Sequence, residues 1–332
     1  MFSIMLIIVV IAALTFDFIN GFHDTANSIA TSVSTRVLSP RRAILMAASL
    51  NFVGALMSES VAKTISKGLV NGPLAEYVII AALLAAIIWD IFTWYFGIPC
   101  SSSHALIGGL IGASIAYAST FDKIIWSGVL EKVVIPLLTS PTIGFIMGYF
   151  IMKLLYRLLR RFSQSQVNTW FSKLQIVSAA FMSFSHGVND AQKSMGIITL
   201  ALISSGLLDS SAGIPIWVKL MCAVAMALGT SVGGWKIIKT MGVSMIRLQP
   251  IGGFAAETGA ALVIQLMTLF GAPVSTTHVI SASIMGVGAS KRLSAVRWAL
   301  ARNIVVTWVI TIPLTMILGA VITFILKALI GA

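Results

Sequence analysis

Two stretches of the chain write the same chemistry twice. FINGFHDTANSIA (18–30) and FSHGVNDAQKSMG (184–196) align at Phe18/Phe184, Gly21/Gly187, Asp24/Asp190 and Ser28/Ser194, all at one offset (190 − 24 = 166). Asn20, Asp24, Asn27 and Ser28 stand at i, i+4, i+7 and i+8, which places them on one helical face unless Gly21 breaks the helix there. Carboxylate and amide oxygens in that arrangement suit a hard cation such as Na⁺, and the carboxylate can instead take a proton. The second copy offers Asn189, Asp190 and Ser194 but carries Lys193 where the first has Asn27. Charged groups inside an apolar chain are costly, so both aspartates are site candidates rather than ornaments.

A second duplicated pair supplies the opposite chemistry. FGIPCSSSHALIG (96–108) aligns with FGAPVSTTHVISA (270–282) at an offset of 278 − 104 = 174. Proline fixes the entry to a helix, and the hydroxyl residues after it, Ser101, Ser102 and Ser103 or Ser275, Thr276 and Thr277, cap it and aim hydroxyls and free N–H groups at the gap. A helix start binds oxyanions without a formal cation, so two of them make a clamp for a small tetrahedral anion. The competing reading makes them ordinary caps, with His104 and His278 packing locally; duplication favours the clamp. All four histidines fall in these motifs, and His23 and His186 are candidate proton carriers. Glu257, in GGFAAETGA just before the second clamp, joins the candidate cation and proton group, whereas Glu59 and Asp90 lack a matching acid and receive no role.

The elements that must hold these groups are membrane helices. Of 332 residues 58% are hydrophobic and 10% charged, with mean hydropathy +0.99, which points to an all-α polytopic membrane protein. Long apolar runs such as Val78–Ile88 exclude the short alternating segments of a β-barrel. The net charge of +12 sits in loops and marks topology, not a nucleic-acid partner. Phe2–Leu14 lacks a basic leader and a small-residue cleavage site and reads as a retained first helix. Cys100 and Cys222 lie in or beside apolar segments and predict no disulfide framework.

Apolar runs and breakers predict helices near 3–20, 43–66, 76–96, 102–118 and 129–156, then near 174–186, 188–206, 216–238, 250–270, 276–289 and 298–327. The only polar, basic connector is YRLLRRFSQSQVNTWFSK, so we divide one membrane domain into a first repeat (1–155), a linker (156–173) and a second repeat (174–332). Lys63-Thr64 and Lys239-Thr240 give a weaker third echo. Equivalent loops carry opposite charge bias: Arg36, Arg41 and Arg42 against a lone Asp209, and a balanced 119–132 loop against Lys291, Arg292 and Arg297. By the positive-inside rule the repeats are inverted, with the linker cytoplasmic and both termini outside a cell (inner) membrane. About 10–12 transmembrane segments with broken or re-entrant helices follow, the signature of a secondary transporter whose site lies where the repeats meet.

The paired G-x-x-D-x-x-N/K-S and P-x-S-S/T-S/T-H segments resemble those of the inorganic phosphate transporter family, and the likeness spans essentially the whole chain. The resemblance implies a phosphate symporter, dimeric, coupled to Na⁺ in some members and to H⁺ in others, the latter also carrying neutral metal–phosphate complexes. Carried over, the cation positions are Asp24, Asn27 and Asp190, and the phosphate contacts are Ser101–Ser103 and Ser275–Thr277, with Ser28 and Ser194 beside them. Sodium-coupled relatives read N-D-x-x-N in the second copy, where this chain reads N-D-A-Q-K; they thus place an amide at Lys193. A lysine three residues after Asp190 can pair with it and stand in for the ion, or it snorkels away. Proton coupling is the expectation, with sodium coupling or a sulfate-type oxyanion permease as alternatives. An intramembrane aspartyl protease leaves the two clamps unexplained, so no enzyme activity, cofactor or resident metal is expected. Phosphate is favoured over sulfate because its protonated forms donate hydrogen bonds to carboxylates.

Overall fold

The computed structural model describes residues 3–331. The polypeptide is helical, with a single isolated bridge between Val70 and Ile124 among the described residues. The first half runs α1 (Ile4–Ser34), α2 (Pro40–Ala55), α3 (Ser60–Lys67), α4 (Glu76–Phe96), α5 (Ser102–Ala118) and α6 (Trp126–Leu158, containing a π turn at Leu130–Val134). The second runs α7 (Gln164–Ser204), α8 (Ile216–Val232), α9 (Trp235–Ser244, its last turn π-helical), α10 (Pro250–Leu269), α11 (Thr276–Lys291) and α12 (Trp298–Ile330).

The two halves use the same succession of parts. Each opens with a long helix carrying a motif, then a pair bent by 65° (α2 and α3) or 63° (α8 and α9), an apolar span, a short helix begun by a capping serine, and a long helix with an internal proline, Pro141 or Pro313. Five helices are long and apolar enough to cross a membrane, or seven if each bent pair is one span. Taking each bent pair as one unit, the described helices of four or more residues make ten units, of which these five to seven are candidate spans, against the expected 10–12 transmembrane segments.

Several boundaries differ from the sequence reading, each for a local reason. The run at 43–66 splits around Met57–Glu59, and that at 216–238 splits at Gly233-Gly234, where Gly233 has φ +77° and an L side chain would be strained. The predicted helices 174–186 and 188–206 are one helix, which also takes up the second half of the predicted linker. It starts at Gln164 because Ser163 and Gln166 form a reciprocal capping box.

Neither motif glycine breaks its helix. Gly21 faces α8, where a Cβ would come within 2.5 Å of Met226 O, and Gly187 faces α2, where it would come within 2.5 Å of Asn51 Cα. Their lack of a side chain lets backbones of opposite halves cross in contact. The clamp helices are likewise braced by the other half: Gly108 and Gly112 of α5 lie on Ile312 and Met316 of α12, and Gly286 of α11 lies on Phe145 of α6.

Two apolar cores result. One collects the first turns of α1 with α4, α5, α8 and the last turns of α7; the other collects the later part of α1 with α2, α10, α11 and the early part of α7. Between them α1 and α7 carry a buried polar layer drawn from Asp17 to Ser28 and Ser183 to Ser194, whose polar side chains are at most 2% exposed.

Candidate functional site

Asp24 and Asp190 come together in that layer. With His186 they place one ligand atom each within 4.8 Å of one another, all three side chains buried. The start of α11 lies against them. Thr277 Oγ1 donates to Asp24 Oδ1 (3.3 Å), Thr276 Oγ1 donates to Asp190 Oδ2 (3.3 Å), and Asn27 Nδ2 reaches both threonine hydroxyls (3.1 and 2.9 Å). The second clamp and both acidic motifs are therefore one assembly.

Each aspartate has a different basic neighbour. Asp24 Oδ1 lies 2.7 Å from Nδ1 of the adjacent His23. Asp190 Oδ2 lies 2.8 Å from Lys193 Nζ and 3.4 Å from His186 Nε2. Lys193 is 1% exposed, so it does not snorkel; its ammonium ends on the carboxylate inside the polar layer. An ammonium there satisfies a buried anion without help from a dissociable ion.

The clamps are capped as the motif predicts. Ser101 and Ser275 accept from the backbone N–H of His104 and His278, at 3.2 Å in both. Ser103 donates to Val274 O across the gap (3.0 Å), which joins the two clamp loops. Ser28 Oγ, Asn27 Oδ1, Asn189 Oδ1 and Asp190 Oδ1 are buried without a protein partner, and Ser102 Oγ and Ser194 Oγ make no close hydrogen bond but lie beside the carboxylates of Asp90 and Asp17. Buried hydroxyls and oxygens left open around two helix starts can receive an oxyanion and its companion cation or proton.

Other expected residues lie elsewhere. Glu257 accepts from Thr31, Ser178 and Gln175 in a separate buried cluster and touches neither aspartate. Asn20 is fully buried with no partner, and Asn189 Nδ2 is taken by Thr268 Oγ1 (2.7 Å) and Ala272 O (3.3 Å). His104 and His278 face each other with centroids 4.9 Å apart, and His278 stacks on Trp308. Sequence reasoning missed Asn51, which meets His186 Nδ1 (3.1 Å) and Thr230, and Thr93, which meets His23 Nε2 (3.1 Å). A lone Asn or Thr in an apolar helix gives no signal by itself. Asp17, fully buried seven residues before Asp24, did give one, since it is an acid in an apolar run.

Comparison with known proteins bears on this assembly. A family model described as the phosphate transporter family matches residues 20–319, both motif pairs included. The chain belongs to the phosphate transporter family. Among curated relatives of this family, a probable low-affinity inorganic phosphate transporter of Bacillus subtilis (strain 168) is 51% identical over 327 residues, 98% of each chain. One of Rhizobium meliloti (strain 1021) is 49% identical over 96% of each. Among solved structures, one described as the sodium-dependent phosphate transporter matches with TM-score 0.85 at 25% identity, covering 98% of this chain and 100% of that one. The helical architecture, with its bent pairs, is thus that of a phosphate transporter, and the chain is a multi-pass membrane protein.

Proposed function

We propose that this chain is a secondary active symporter that imports inorganic phosphate, alone or as a neutral metal–phosphate complex, driven by protons, across the cell membrane. Family membership and the names of its relatives support the substrate. Proton coupling rests on one observation: Lys193 Nζ lies 2.8 Å from Asp190 at 1% exposure, so the second acidic motif carries its own counter-charge. The open hydroxyls of Ser28, Ser102 and Ser194 and the threonines of the second clamp bind the phosphate oxygens. Asp24, with His23 at 2.7 Å, takes and releases the coupled proton. The duplicated motifs and matching succession of helices support inverted repeats alternating around this layer, in a homodimer with external termini.

Sodium coupling is the second reading. Asp24 and Asp190 bring carboxylate oxygens within 4.8 Å of one another, and a neighbouring solved structure is described as sodium-dependent. Phosphate uptake into proteoliposomes, with proton and Na⁺ gradients imposed separately, decides between them. We expect a proton gradient alone to drive uptake in Na⁺-free buffer and a protonophore to abolish it. Strict Na⁺ dependence with no response to an imposed pH gradient would refute proton coupling. Lys193→Asn, which restores the symmetric motif, should then lose proton-only transport or gain Na⁺ stimulation.

A further inference from the structure

Behind Asp24, His23 meets two side chains, Asp90 and Cys100, that have no part in the phosphate transport proposed above. His23 Nδ1 is held by Asp24, and its Nε2 points the other way, 3.1 Å from Thr93 Oγ1 and 3.6 Å from Cys100 Sγ. The carboxylate of Asp90 completes the group: one ligand atom each from His23, Asp90 and Cys100 lies within 4.8 Å of the others. All three residues are 0% exposed, and the Asp90 carboxylate makes no close hydrogen bond, with only the Ser102 hydroxyl beside it. A buried carboxylate so weakly held calls for a physical explanation.

We propose that His23, Asp90 and Cys100 form a binding site for a zinc-class divalent transition metal. Thiolate, imidazole and carboxylate together are a zinc donor set; a thiolate disfavours Na⁺, Mg²⁺ and Ca²⁺, which take oxygen ligands. The spacing fits. Metal–nitrogen and metal–sulfur bonds of tetrahedral zinc put N and S about 3.5 Å apart, and His23 Nε2 and Cys100 Sγ stand at 3.6 Å. The other pairs, within 4.8 Å of one another, close further as the bonds form, and a water takes the fourth position. The support is that of a metal-bound imidazole, whose second nitrogen is held by a carboxylate, here Asp24 at 2.7 Å.

The group exists in one half only. By the motif offsets, the counterparts of His23, Asp90 and Cys100 are Asn189 (23 + 166), Ile264 (90 + 174) and Val274 (100 + 174), which cannot make such a site. The metal site is thus confined to the first half, and it is joined to the transport site through the His23–Asp24 contact.

The test uses the full chain purified in detergent, stripped by a chelator and titrated with Co²⁺. We expect one equivalent per chain, with a thiolate-to-cobalt charge-transfer band and tetrahedral d–d absorption, both abolished by Zn²⁺. Cys100→Val, which installs the residue of the second half, should remove the charge-transfer band, and Asp90→Asn should weaken binding by about tenfold or more. Cys222→Ser should leave the spectrum intact, assigning the thiolate to Cys100. Phosphate uptake by Cys100→Val in chelator-containing buffer should match wild type, which establishes that the variant is folded. No charge-transfer band in the wild type, or one that survives in Cys100→Val, overturns the proposal. Because the readout is spectroscopic, it does not depend on which ion drives phosphate uptake.

Discussion

Replacing Lys193 by Met keeps the length of the side chain and removes its charge, leaving Asp190 in a dry layer without its ammonium. Breaking a buried ion pair by deleting one partner costs about 3–5 kcal/mol, because the remaining charge is uncompensated. Two groups soften the loss here, Thr276 Oγ1 at 3.3 Å and His186 Nε2 at 3.4 Å, both long contacts. We therefore expect the low end, about 3 kcal/mol. Asp190→Asn strands Lys193 instead and should cost a similar amount. The double variant buries an amide beside a thioether with no net charge, and its cost should be about 1 kcal/mol rather than the sum of about 6. Equilibrium unfolding of the three variants in mixed micelles, followed by tryptophan fluorescence, measures the coupling. Single variants within about 0.5 kcal/mol of wild type, or strictly additive losses, would show that the pair is not a buried salt bridge. Lys193 would then reach water, and the structural case for an internal counter-charge would fall.

Three further outcomes follow from the same geometry. Ser102→Ala removes a hydroxyl that makes no close hydrogen bond within the protein, so phosphate uptake should weaken by the loss of a hydrogen bond to a charged group, about 1.5–3 kcal/mol; Ser101→Ala should instead lower stability by about 1 kcal/mol through its lost cap. Glu257→Gln lies outside the aspartate cluster, so thermal denaturation should show a less stable protein while proton-driven uptake persists; abolished uptake by folded protein would return Glu257 to the coupling group. Gly21→Leu drives a side chain into the backbone of α8, and size-exclusion chromatography should show little folded protein; a monodisperse peak at wild-type yield would refute the close crossing.

The residues that meet in the candidate cluster were legible mostly because their motifs occur twice. Asp24, Asp190, Thr276 and Thr277 come together in space, and repetition at a fixed offset singled them out without any geometry, whereas Asn27 stood out by its difference from Lys193. Their partners were not legible, because what recruits Asn51 or Thr93 is the crossing of helices from distant parts of the chain. Glu257 shows the converse failure. An acid near a motif in sequence sits in its own hydroxyl and amide cluster, since an α-helix distributes neighbouring residues around its circumference. The expected helices stop at Gly21 and at Gly187, but a glycine in a membrane helix is equally a contact surface, and only the neighbour decides which.

The crossed bracing of the clamp helices bears on how the protein is made. The helix that supports the first clamp is α12, which follows it late in the chain, so α5 enters the bilayer long before its glycine-lined flank has anything to rest on. The same holds for α1, whose Gly21 must await α8. Neither half is a finished object when its own residues have been made, and the first of the two capped helix starts cannot be set until α12 has followed it. A chain cut short before Trp298 loses the wall of the half it had already completed in sequence.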